Sequence, residues 1–464
     1  MARPHGLRPP AGYGWLRRIV RVLHYADVEA GLDNPERAGR LATVLRQEGG
    51  EDPIVTDGGD TLAPGVLALS TKGKHALAFQ DAVSPAVATF GNHDFDHGRT
   101  AAREVTWESP ARYVTGNVLE GGQPFGDAAP WTIVDRADGA LGVIGITDPD
   151  ASLPDSLAVE DPVRAVRTAV AELRDHGVRA VLVLAHAGDD VVRTVARQQG
   201  VDAIAAGHVH RVGRERVSGT PIVRPGVNGE VVWELDFDGE RVTTDDHDVE
   251  RAVVDESVAE ILQAERYRVG LEDTVGYLDE PLVRDRAKRL VGRERAGSLV
   301  ATAYMAGASA DLGVLDTLAI REGPRLSGTV SRGDVVGLVP FAAPLCRLEV
   351  SGRTLSRLLR DSVVTDDRAT RGPGAYACWL QVAGASLRVA GDGTVESVRV
   401  DGEPIDGSRD YVVGTNTYVL SSDEFPAVDR RHLLAQGEDQ YEAVVALFEA
   451  GRVTGIPDGF VDPV

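Results

Sequence analysis

Short apolar runs with strand character alternate with helical stretches through the first half of the chain, and this alternation is what most constrains its fold. Between Ile19 and about Val242 the strand-like runs are IVRVLHY, PIVT, AVATF, ALGVIGIT, AVLVLA, DAIAA and PIVRPG. Residues 35–48 and 161–176 lie between such runs and carry apolar residues at helical spacing. Buried strands separated by helices are typical of a layered α/β domain.

The chain of 464 residues is long enough for two domains. Residues 248–264 place apolar side chains among charged neighbours in a pattern that predicts one amphipathic helix. Beyond residue 267, Gly-rich turns at 371–374 and 391–393 separate strand-like segments such as CWLQVAG and SLRVA. We therefore predict an N-terminal extension (1–18), a first α/β domain (19–247), a helical linker (248–266) and a second α/β domain (267–464).

Five segments at the ends of strand-like runs supply side chains that bind divalent cations. They are HYAD ending at Asp27, GGD ending at Asp60, GNHD at 91–94, AHAG with His186, and GHVH ending at His210. A dinuclear hydrolytic site needs a bridging carboxylate together with further oxygen and imidazole ligands. Each segment alone is more often a turn or a structural histidine. Together they predict a two-metal site, in which His208 and His210 alternate along an extended segment so that one reaches each metal.

The order of these segments resembles the calcineurin-like metallophosphoesterases and, within them, the 5′-nucleotidase and UDP-sugar hydrolase family. The resemblance implies an N-terminal four-layer αββα metallophosphoesterase sandwich and a C-terminal α/β 5′-nucleotidase-type domain. It implies that Asp27 and His210 bind one metal, that Asn92, His186 and His208 bind the other, and that Asp60 bridges them. It also implies two catalytic residues: His93 stabilises developing charge or protonates the leaving oxygen, and Asp94 orients its imidazole.

The first motif departs from the family pattern at Glu29. The family has Asp-x-His, whereas this chain has Asp27-Val28-Glu29. A carboxylate at this position can serve as a ligand, and it favours harder ions. The implied cofactors are two divalent metal ions, with Mn²⁺ favoured and Zn²⁺, Mg²⁺ or Co²⁺ as alternatives. The alternative for Glu29 is a solvated residue that leaves the first metal one ligand short.

The second half of the chain carries motifs that resemble the family's substrate-binding elements. RERAGSLV and VPFAAPL resemble the R-x-x-G-N-L and P-F-x-N-x-L elements, and WLQVAG resembles a base-stacking strand. The resemblance implies substrate contacts from two arginines, two stacking aromatic residues and two acidic residues, namely Arg295, Arg321, Trp379, Tyr418, Asp316 and Asp423. The alternatives are surface salt bridges for the arginines and core packing for the aromatics.

Several positions in these motifs differ from the family pattern. Ser298 and Thr302 replace an Asn and an Asp, and the loop at 316–321 lacks the family's glycines, as does the pair at 421–422. Without glycine the backbone cannot approach a ligand as closely. The pocket for the substrate is therefore less completely preserved than the metal site.

The function that the resemblance implies is hydrolysis of nucleotide phosphate esters, as by a 5′-nucleotidase, through in-line attack of a metal-bound hydroxide. A 2′,3′-cyclic-nucleotide phosphodiesterase or a UDP-sugar hydrolase is the close alternative. A catalytically weak nucleotide-binding homologue is the alternative of another class, motivated by Glu29 and the missing glycines.

Composition limits the partners and the compartment. Asp and Glu number 71 against 49 Lys and Arg, for a formal charge of -22, and lysine occurs only at positions 72, 74 and 288. Such a surface suits a salt-rich, halophile-like cytoplasm and repels duplex nucleic acid. Cys346 and Cys378 are predicted to be buried free thiols.

Targeting and membrane segments are not evident in the sequence. The first 21 residues are basic without a following apolar segment, and no run reaches the ~18 apolar residues of a membrane span. We expect a cytoplasmic protein that acts on a small-molecule nucleotide without a membrane partner. The oligomeric state is left open.

Overall fold

The computed structural model describes residues 20–47, 52–136, 139–151, 153–365 and 376–463. The predicted N-terminal extension (1–18) and the Gly-rich turn at 371–374 lie outside these residues. The strands of the first half are β1 (Val20–Tyr25), β2 (Ile54–Asp57), β3 (Val87–Ala88), β4 (Arg112–Tyr113), β5 (Val118–Glu120), β6 (Gln123–Pro124), β7 (Trp131–Arg136), β8 (Gly139–Thr147), β9 (Ala158–Val159), β10 (Ala180–His186), β11 (Ala203–Gly207), β12 (Val212–Val217), β13 (Thr220–Pro225), β14 (Val231–Phe237) and β15 (Val242–Asp248). Its helices are α1 (Pro35–Gln47), α2 (Val66–Thr71), α3 (His75–Val83), α4 (Gly98–Glu108), α5 (Pro162–Asp175) and α6 (Asp189–Ala196).

Two six-stranded sheets form the centre of the first half. The first has the order β15-β14-β1-β2-β3-β4, and the second has the order β12-β13-β11-β10-β8-β7. Strands β1 to β4 run parallel, as do β8, β10, β11 and β13, while the edge pairs β14-β15, β12-β13 and β7-β8 are antiparallel. Parallel strands are connected by crossover helices, which cover the outer faces of the sheets.

Apolar side chains hold the four layers together. Val22, Ile54, Leu182, Val223 and Leu235, contributed by both sheets, belong to one buried cluster between them. Helices α5 and α6 pack on the outer face of the second sheet, and α1 and α3 pack on that of the first. This arrangement confirms the predicted αββα sandwich.

The second half is a separate α/β arrangement. Its strands are β16 (Thr274–Leu282), β17 (Leu312–Asp316), β18 (Leu326–Ser331), β19 (Pro344–Ser351), β20 (Val363–Val364), β21 (Ala377–Cys378), β22 (Leu380–Ala383), β23 (Ala385–Val389), β24 (Val395–Val400), β25 (Glu403–Pro404), β26 (Asp410–Asn416), β27 (Leu433–Asp439) and β28 (Val461–Pro463). Its helices, with the one that precedes β16, are α7 (Glu256–Arg268), α8 (Arg286–Leu290), α9 (Arg295–Gly307), α10 (Arg332–Val336), α11 (Gly352–Asp361), α12 (Thr417–Ser421) and α13 (Gln440–Glu449). A five-stranded sheet, β22-β17-β26-β19-β27, carries α9 on one face.

The helix predicted at 248–264 begins and ends later in the structure. Residue 248 ends strand β15, residues 249–251 form a 3₁₀ turn, and the helix itself is α7. The start is set by Asp255, whose carboxylate accepts hydrogen bonds from the amides of Ser257 and Val258. Helix α7 packs on α1 and α3. Among the described residues, none of the helices combines the length and the apolar composition that a membrane span requires.

Candidate active site

The side chains predicted to bind metal lie together at the carboxyl ends of the parallel strands of both sheets. Asp27, Asp60 and Asn92 follow β1, β2 and β3, while His186 ends β10 and His208 follows β11. The amide of His208 donates to both carboxylate oxygens of Asp27, at 2.9 and 3.1 Å. The topology thus joins segments that are about 180 residues apart in the chain.

Four of the predicted ligands have a left-handed backbone. The φ angles are 51° for Asp27, 44° for Glu29, 54° for Asp60 and 73° for His208. Residues other than glycine pay about 1–3 kcal/mol for such conformations, which concentrate at functional sites. At His208 this conformation ends the strand at Gly207, so the GHVH segment is not extended as predicted.

Asp60 and His186 form the most buried part of the site. Neither side chain is more than 1% exposed, and Asp60 Oδ2 lies 2.9 Å from His186 Nε2. The other ring nitrogen of His186, Nδ1, lies 2.9 Å from the carbonyl oxygen of Gly58, which fixes the orientation of the ring. Asp60 Oδ1 accepts a hydrogen bond of 2.7 Å from the amide of His93.

Asp27, Glu29 and His210 form a second group beside the first. Glu29 Oε1 lies 2.8 Å from His210 Nε2, and Asp27 Oδ1 lies 3.7 Å from the same nitrogen. Glu29 is buried, so it is not the solvated residue that the sequence left as an alternative. His210 is half exposed, which leaves this group open to solvent on one side.

Asn92 and His208 complete the assembly. Asn92 Oδ1 lies 3.0 Å from His208 Nδ1, and the His208 ring meets the ring of His186 edge to face with centroids 5.2 Å apart. The two histidines of the GHVH segment therefore face different groups: His208 faces Asn92 and His186, whereas His210 faces Glu29 and Asp27.

Three buried atoms of the site lack a hydrogen-bond partner among the described residues: Glu29 Oε1, Asp60 Oδ2 and His186 Nε2. Each lies within 2.9 Å of a charged neighbour, but not with the angles of a hydrogen bond. A buried polar atom left unpaired costs about 1–3 kcal/mol. Carboxylate and imidazole atoms that converge without bonding to one another are the donors that divalent cations take up.

The pKa values of the buried groups also reflect this crowding. Burial raises the pKa of Asp27 to about 7, with Asp60 and Glu29 adding to the effect. Burial lowers the pKa of His186, but the carboxylates of Asp60 and Asp27 outweigh it and raise the value to about 10. Two clusters, Asp27-Glu29-His210 and Asp27-Asp60-His186, have ligand atoms close enough to hold a cation. The residues present therefore fit divalent metal ions.

His93 lies beside these groups, and its imidazole is oriented by a residue other than the one predicted. Its Nδ1 lies 2.9 Å from Asp96 Oδ2, so Asp96, and not Asp94, holds the ring. Burial lowers the pKa of His93, but Asp96 and Asp60 outweigh burial and raise the value to about 9. The 3₁₀ turn His93–Phe95 brings His93 close to Asp96, three residues later. The H-x-x-D spacing in the sequence could have indicated this pairing.

Asp94 has a different task from the one predicted. Its buried carboxylate accepts hydrogen bonds from the backbone amides of Asp60, Thr61, Leu62 and Gly91, at 2.8–3.2 Å. These bonds hold the segment that carries Asp60 against the segment that carries Asn92. Asp94 thus shapes the backbone and does not touch the imidazole of His93.

The structure brings together some of the substrate-binding residues predicted in the second half. The Arg321 guanidinium lies over the ring of Phe341, 4.7 Å from its centroid. Asp316 is buried, and its carboxylate caps the 3₁₀ turn that follows by accepting from the amide of Leu318. Burial raises the pKa of Asp316, with Glu424 adding to and Arg321 opposing the effect.

The other predicted substrate contacts are more dispersed. Trp379 is half buried, and its carbonyl accepts a hydrogen bond of 3.0 Å from the amide of Thr317, next to Asp316. Tyr418 is 46% exposed, and Asp423 is exposed on the following turn. Arg295 pairs with Glu280 at 2.9 Å and is not part of the group around Asp316.

Comparisons with known proteins match both halves of the chain. Residues 20–212 match the model of the calcineurin-like phosphoesterase family, and residues 274–430 match that of the 5′-nucleotidase C-terminal domain. The chain is 23% identical over 467 residues to the trifunctional nucleotide phosphoesterase YfkN of Bacillus subtilis, covering 86% of this chain and 32% of that protein. It is 22% identical over 411 residues to UshA of Salmonella pullorum, covering 74% of this chain and 72% of UshA.

Solved structures share the fold over almost the whole chain. The crystal structure of a 5′-nucleotidase precursor from Thermus thermophilus superposes with a TM-score of 0.74 and 20% identity, covering 96% of this chain and 99% of that one. The chain spans about a third of the length of the curated relatives it matches first. With both family models matched in order along one αββα sandwich and its companion domain, the chain belongs to the calcineurin-like phosphoesterases that carry a 5′-nucleotidase C-terminal domain.

Proposed function

We propose that this chain hydrolyses phosphate esters of nucleotides with the help of two divalent metal ions. The observation that carries the proposal is the set of converging, unpaired buried atoms on Glu29, Asp60 and His186. Related proteins named as 5′-nucleotidases and nucleotide phosphoesterases support the substrate class.

The ligands divide between two positions. Asp27, Glu29 and His210 would hold one ion, and Asn92, His186 and His208 would hold the other, with the carboxylate of Asp60 between them. The short contacts within each group support this division. When bound, two such ions neutralise charge that develops on phosphoryl oxygens and lower the pKa of water.

His93 would act on the leaving group. Asp96 holds Nδ1 and thereby leaves Nε2 free to face the substrate. A protonated imidazole in that position donates a proton to the departing oxygen, or stabilises its negative charge. Asp94, which we assigned from the sequence to the catalytic pair, contributes through the backbone that it holds.

The ligand chemistry favours Mn²⁺ as the metal. Glu29 makes the first position richer in oxygen than an Asp-x-His motif would, and oxygen ligands suit Mn²⁺ or Mg²⁺ better than Zn²⁺. In the second position the imidazoles suit Zn²⁺, whereas the amide oxygen of Asn92 and the carboxylate of Asp60 suit Mn²⁺. Mn²⁺ is therefore the ion compatible with both positions.

The second half, at about 267–464, would supply the substrate contacts, and the metal centre would belong to residues 19–247. Arg321 offers a fork of N–H donors for phosphate oxygens, and Phe341 already stacks against it. Trp379 and Tyr418 are the aromatic candidates for the base, with Asp316, Asp423 and Arg295 as further polar contacts. Relatives named 5′-nucleotidase and 2′,3′-cyclic-nucleotide 2′-phosphodiesterase/3′-nucleotidase put a nucleoside monophosphate and a 2′,3′-cyclic nucleotide on the test panel. The resemblance to UDP-sugar hydrolases adds a nucleotide sugar.

The test is phosphate release from that panel after loading with Mn²⁺, Mg²⁺, Zn²⁺ or Co²⁺. Asp60→Asn removes the negative charge of the bridging carboxylate and should abolish turnover, whereas Asp190→Asn alters an exposed carboxylate four residues after His186 and should not. If no ester is hydrolysed above the Asp60→Asn background with any ion, the proposal fails. Nucleotide binding without turnover would then favour the catalytically weak homologue.

A further inference from the structure

The turn that carries Asp60 is tied to most of the proposed metal centre. The amide of Asp27 donates to the carbonyl oxygen of Gly59 at 2.9 Å, and that of Glu29 donates to the carbonyl of Asp60 at 3.0 Å. The imidazole of His186 contacts the carbonyl of Gly58 at 2.9 Å. Any shift of residues 58–60 would therefore displace ligands on two other segments, the one that carries Asp27 and Glu29 and the one that carries His186.

This turn has a conformation that it would not hold on its own. Gly59 has φ 93° and Asp60 has φ 54°. A Cβ atom added at Gly59 would lie 2.4 Å from the amide nitrogen of Gly91, so the two backbones are in close contact. Side chains around the turn must compensate for the strain.

The buried carboxylate of Asp57 accepts hydrogen bonds from the residues on both sides of Asp60. Its Oδ1 accepts a hydrogen bond of 3.0 Å from the amide of Gly59 and one of 2.9 Å from the hydroxyl of Thr61. Asp57 ends strand β2 and is 1% exposed, and it does not reach the converging atoms of the metal site.

The other carboxylate oxygen of Asp57 is held by a buried side chain of α3. Its Oδ2 lies 3.4 Å from Nε2 of Gln80, a fully buried residue of α3. The Gln80 side chain also contacts the hydroxyl groups of Tyr113, at 3.3 Å, and Ser109, at 2.8 Å. Such a chain of buried hydrogen bonds fixes the carboxylate in one orientation.

We propose that Asp57 is a positioning residue that fixes the turn 58–61 and so sets the geometry of the whole metal centre. The inference rests on the proposed function. Asp57 would act by holding Asp60 in place, without touching metal or substrate itself.

The experiment compares Asp57→Ala, Asp57→Asn and Thr61→Val, each as the full chain. The matched control is Asp202→Ala. The carboxylate of Asp202 accepts a hydrogen bond of 2.8 Å from the amide of Val181, which lies near the amino end of β10, whereas the proposed metal site lies at the carboxyl end. The readouts are the dissociation constants for Mn²⁺ by calorimetry, kcat and KM for the best ester, and unfolding by urea in EDTA.

We expect Asp57→Ala to weaken Mn²⁺ binding and to lower kcat, each by about 10- to 100-fold, the range seen when groups that support metal ligands are removed. KM should change little, because the substrate contacts lie elsewhere. Asp57→Asn keeps an oxygen acceptor and should recover most of the loss. Thr61→Val should weaken Mn²⁺ binding less than Asp57→Ala, and adding it to Asp57→Ala should cost almost nothing further, because both remove the same bond.

The inference is overturned if Asp57→Ala binds Mn²⁺ like the wild type, or if Asp202→Ala weakens binding as much. Should Asp57→Ala not fold, unchanged Mn²⁺ binding in Thr61→Val would overturn it equally. If the wild-type protein binds Mn²⁺ but hydrolyses no ester, the proposed function fails while the binding data still decide the role of Asp57.

Discussion

Glu29 is the residue that would set the chemical character of the proposed first metal position. It replaces the imidazole of the Asp-x-His pattern, it is buried, and its Oε1 lies 2.8 Å from His210 Nε2. With Asp27 it puts two carboxylates and one imidazole around one position, whereas the second position is mainly amide and imidazole. The two positions should therefore differ in the ions they prefer.

Glu29→His should move the first position towards Zn²⁺. An imidazole is a softer ligand than a carboxylate, so we expect the ratio of Zn²⁺ to Mn²⁺ affinity to rise on the order of tenfold. The measurement is competition between the two ions, followed by metal analysis of the dialysed protein. Glu29→Gln, which keeps an oxygen but loses the charge, is the control and should weaken both ions. An unchanged preference in Glu29→His would mean that Glu29 is not a ligand.

Asp96→Asn tests the residue that holds the imidazole of His93, which we propose to be catalytic. We expect His93→Ala to lower kcat by ~10²- to 10⁴-fold, the usual contribution of a general acid, and Asp96→Asn to lower it by a smaller factor. KM should stay close to the wild-type value in both, as steady-state kinetics would reveal. The double variant should be no slower than His93→Ala, because Asp96 acts through His93. An Asp96→Asn variant with wild-type kcat would remove Asp96 from the mechanism.

Site residues could be predicted from the sequence where they stand in short motifs with a recognisable spacing. Asp27, Asp60, Asn92, His186, His208 and His210 stand in short motifs after strand-like runs, and the structure brings all of them together. The partner of His93 was predicted wrongly, because a 3₁₀ turn and not the adjacent position decides which carboxylate meets the ring. Asp57 was not predicted from the sequence. Its proposed role depends on hydrogen bonds to a turn, and the backbone conformation of that turn could not be predicted from the sequence.

At the scale of elements, the end of the 3₁₀ turn Glu29–Asp33 is fastened to helix α2. Asp33 accepts hydrogen bonds of 2.6 and 2.7 Å from the amides of Val66 and Leu67, in the first turn of α2. Arg266 of α7 donates to the Asp33 carbonyl at 2.9 Å, so the same residue also joins the helix that leads into the second half. Burial raises the pKa of Asp33 to about 6.

Asp33 should make the stability of the protein depend on pH. A carboxyl group with pKa about 6 in the folded state and about 3.9 when unfolded binds more protons folded than unfolded between these values. Its contribution to the free energy of unfolding is therefore greatest below pH 4, falls as the pH rises to 6, and is constant above. The measurement is urea unfolding of wild type and Asp33→Asn in EDTA at fixed high salt. The stability difference, wild type minus variant, should decrease from pH 4 to 6; an increase would contradict the account.

Elements were predicted best where periodicity and capping agree. Helices at 35–47 and 162–175 lie within one residue of the predicted bounds over the described residues. The linker helix was predicted to start too early, because the apolar residues at 253 and 254 fit the helical spacing although they precede the helix. The N-cap at Asp255 sets its actual start. Strand β3 is only two residues long, since the chain turns away towards Asn92 soon after pairing with β2.

At the scale of the whole molecule, one apolar cluster runs through both halves. Leu23, Leu45 and Phe79 of the first half share it with Leu262 of α7 and Leu299 of α9. This shared core could not be predicted from the sequence, because the apolar faces that meet are distant in the chain. It places the two predicted domains in extensive contact through α7.

The net charge of -22 gives the whole molecule a predictable response to salt. Like charges repel one another in the compact state, and at 1 M salt their interactions are screened within about 3 Å. We expect the midpoint of thermal unfolding to rise with KCl, and each gain of about 1 kcal/mol in stability corresponds to roughly 2–4 °C for a domain of about 150–250 residues. Scanning calorimetry from 0.1 to 2 M KCl provides the measurement, with equal osmolality of sucrose as control. A midpoint that is independent of KCl would contradict the expectation, drawn from the composition, that the protein suits a salt-rich medium.

We propose that two divalent ions share the site built around Asp60. Anomalous diffraction from crystals of the protein loaded with Mn²⁺ locates such ions. We expect two anomalous peaks about 3.5–4 Å apart, one beside Asp27, Glu29 and His210 and the other beside Asn92, His186 and His208, with Asp60 between them. A single peak, or peaks away from these side chains in fully loaded protein, would contradict it.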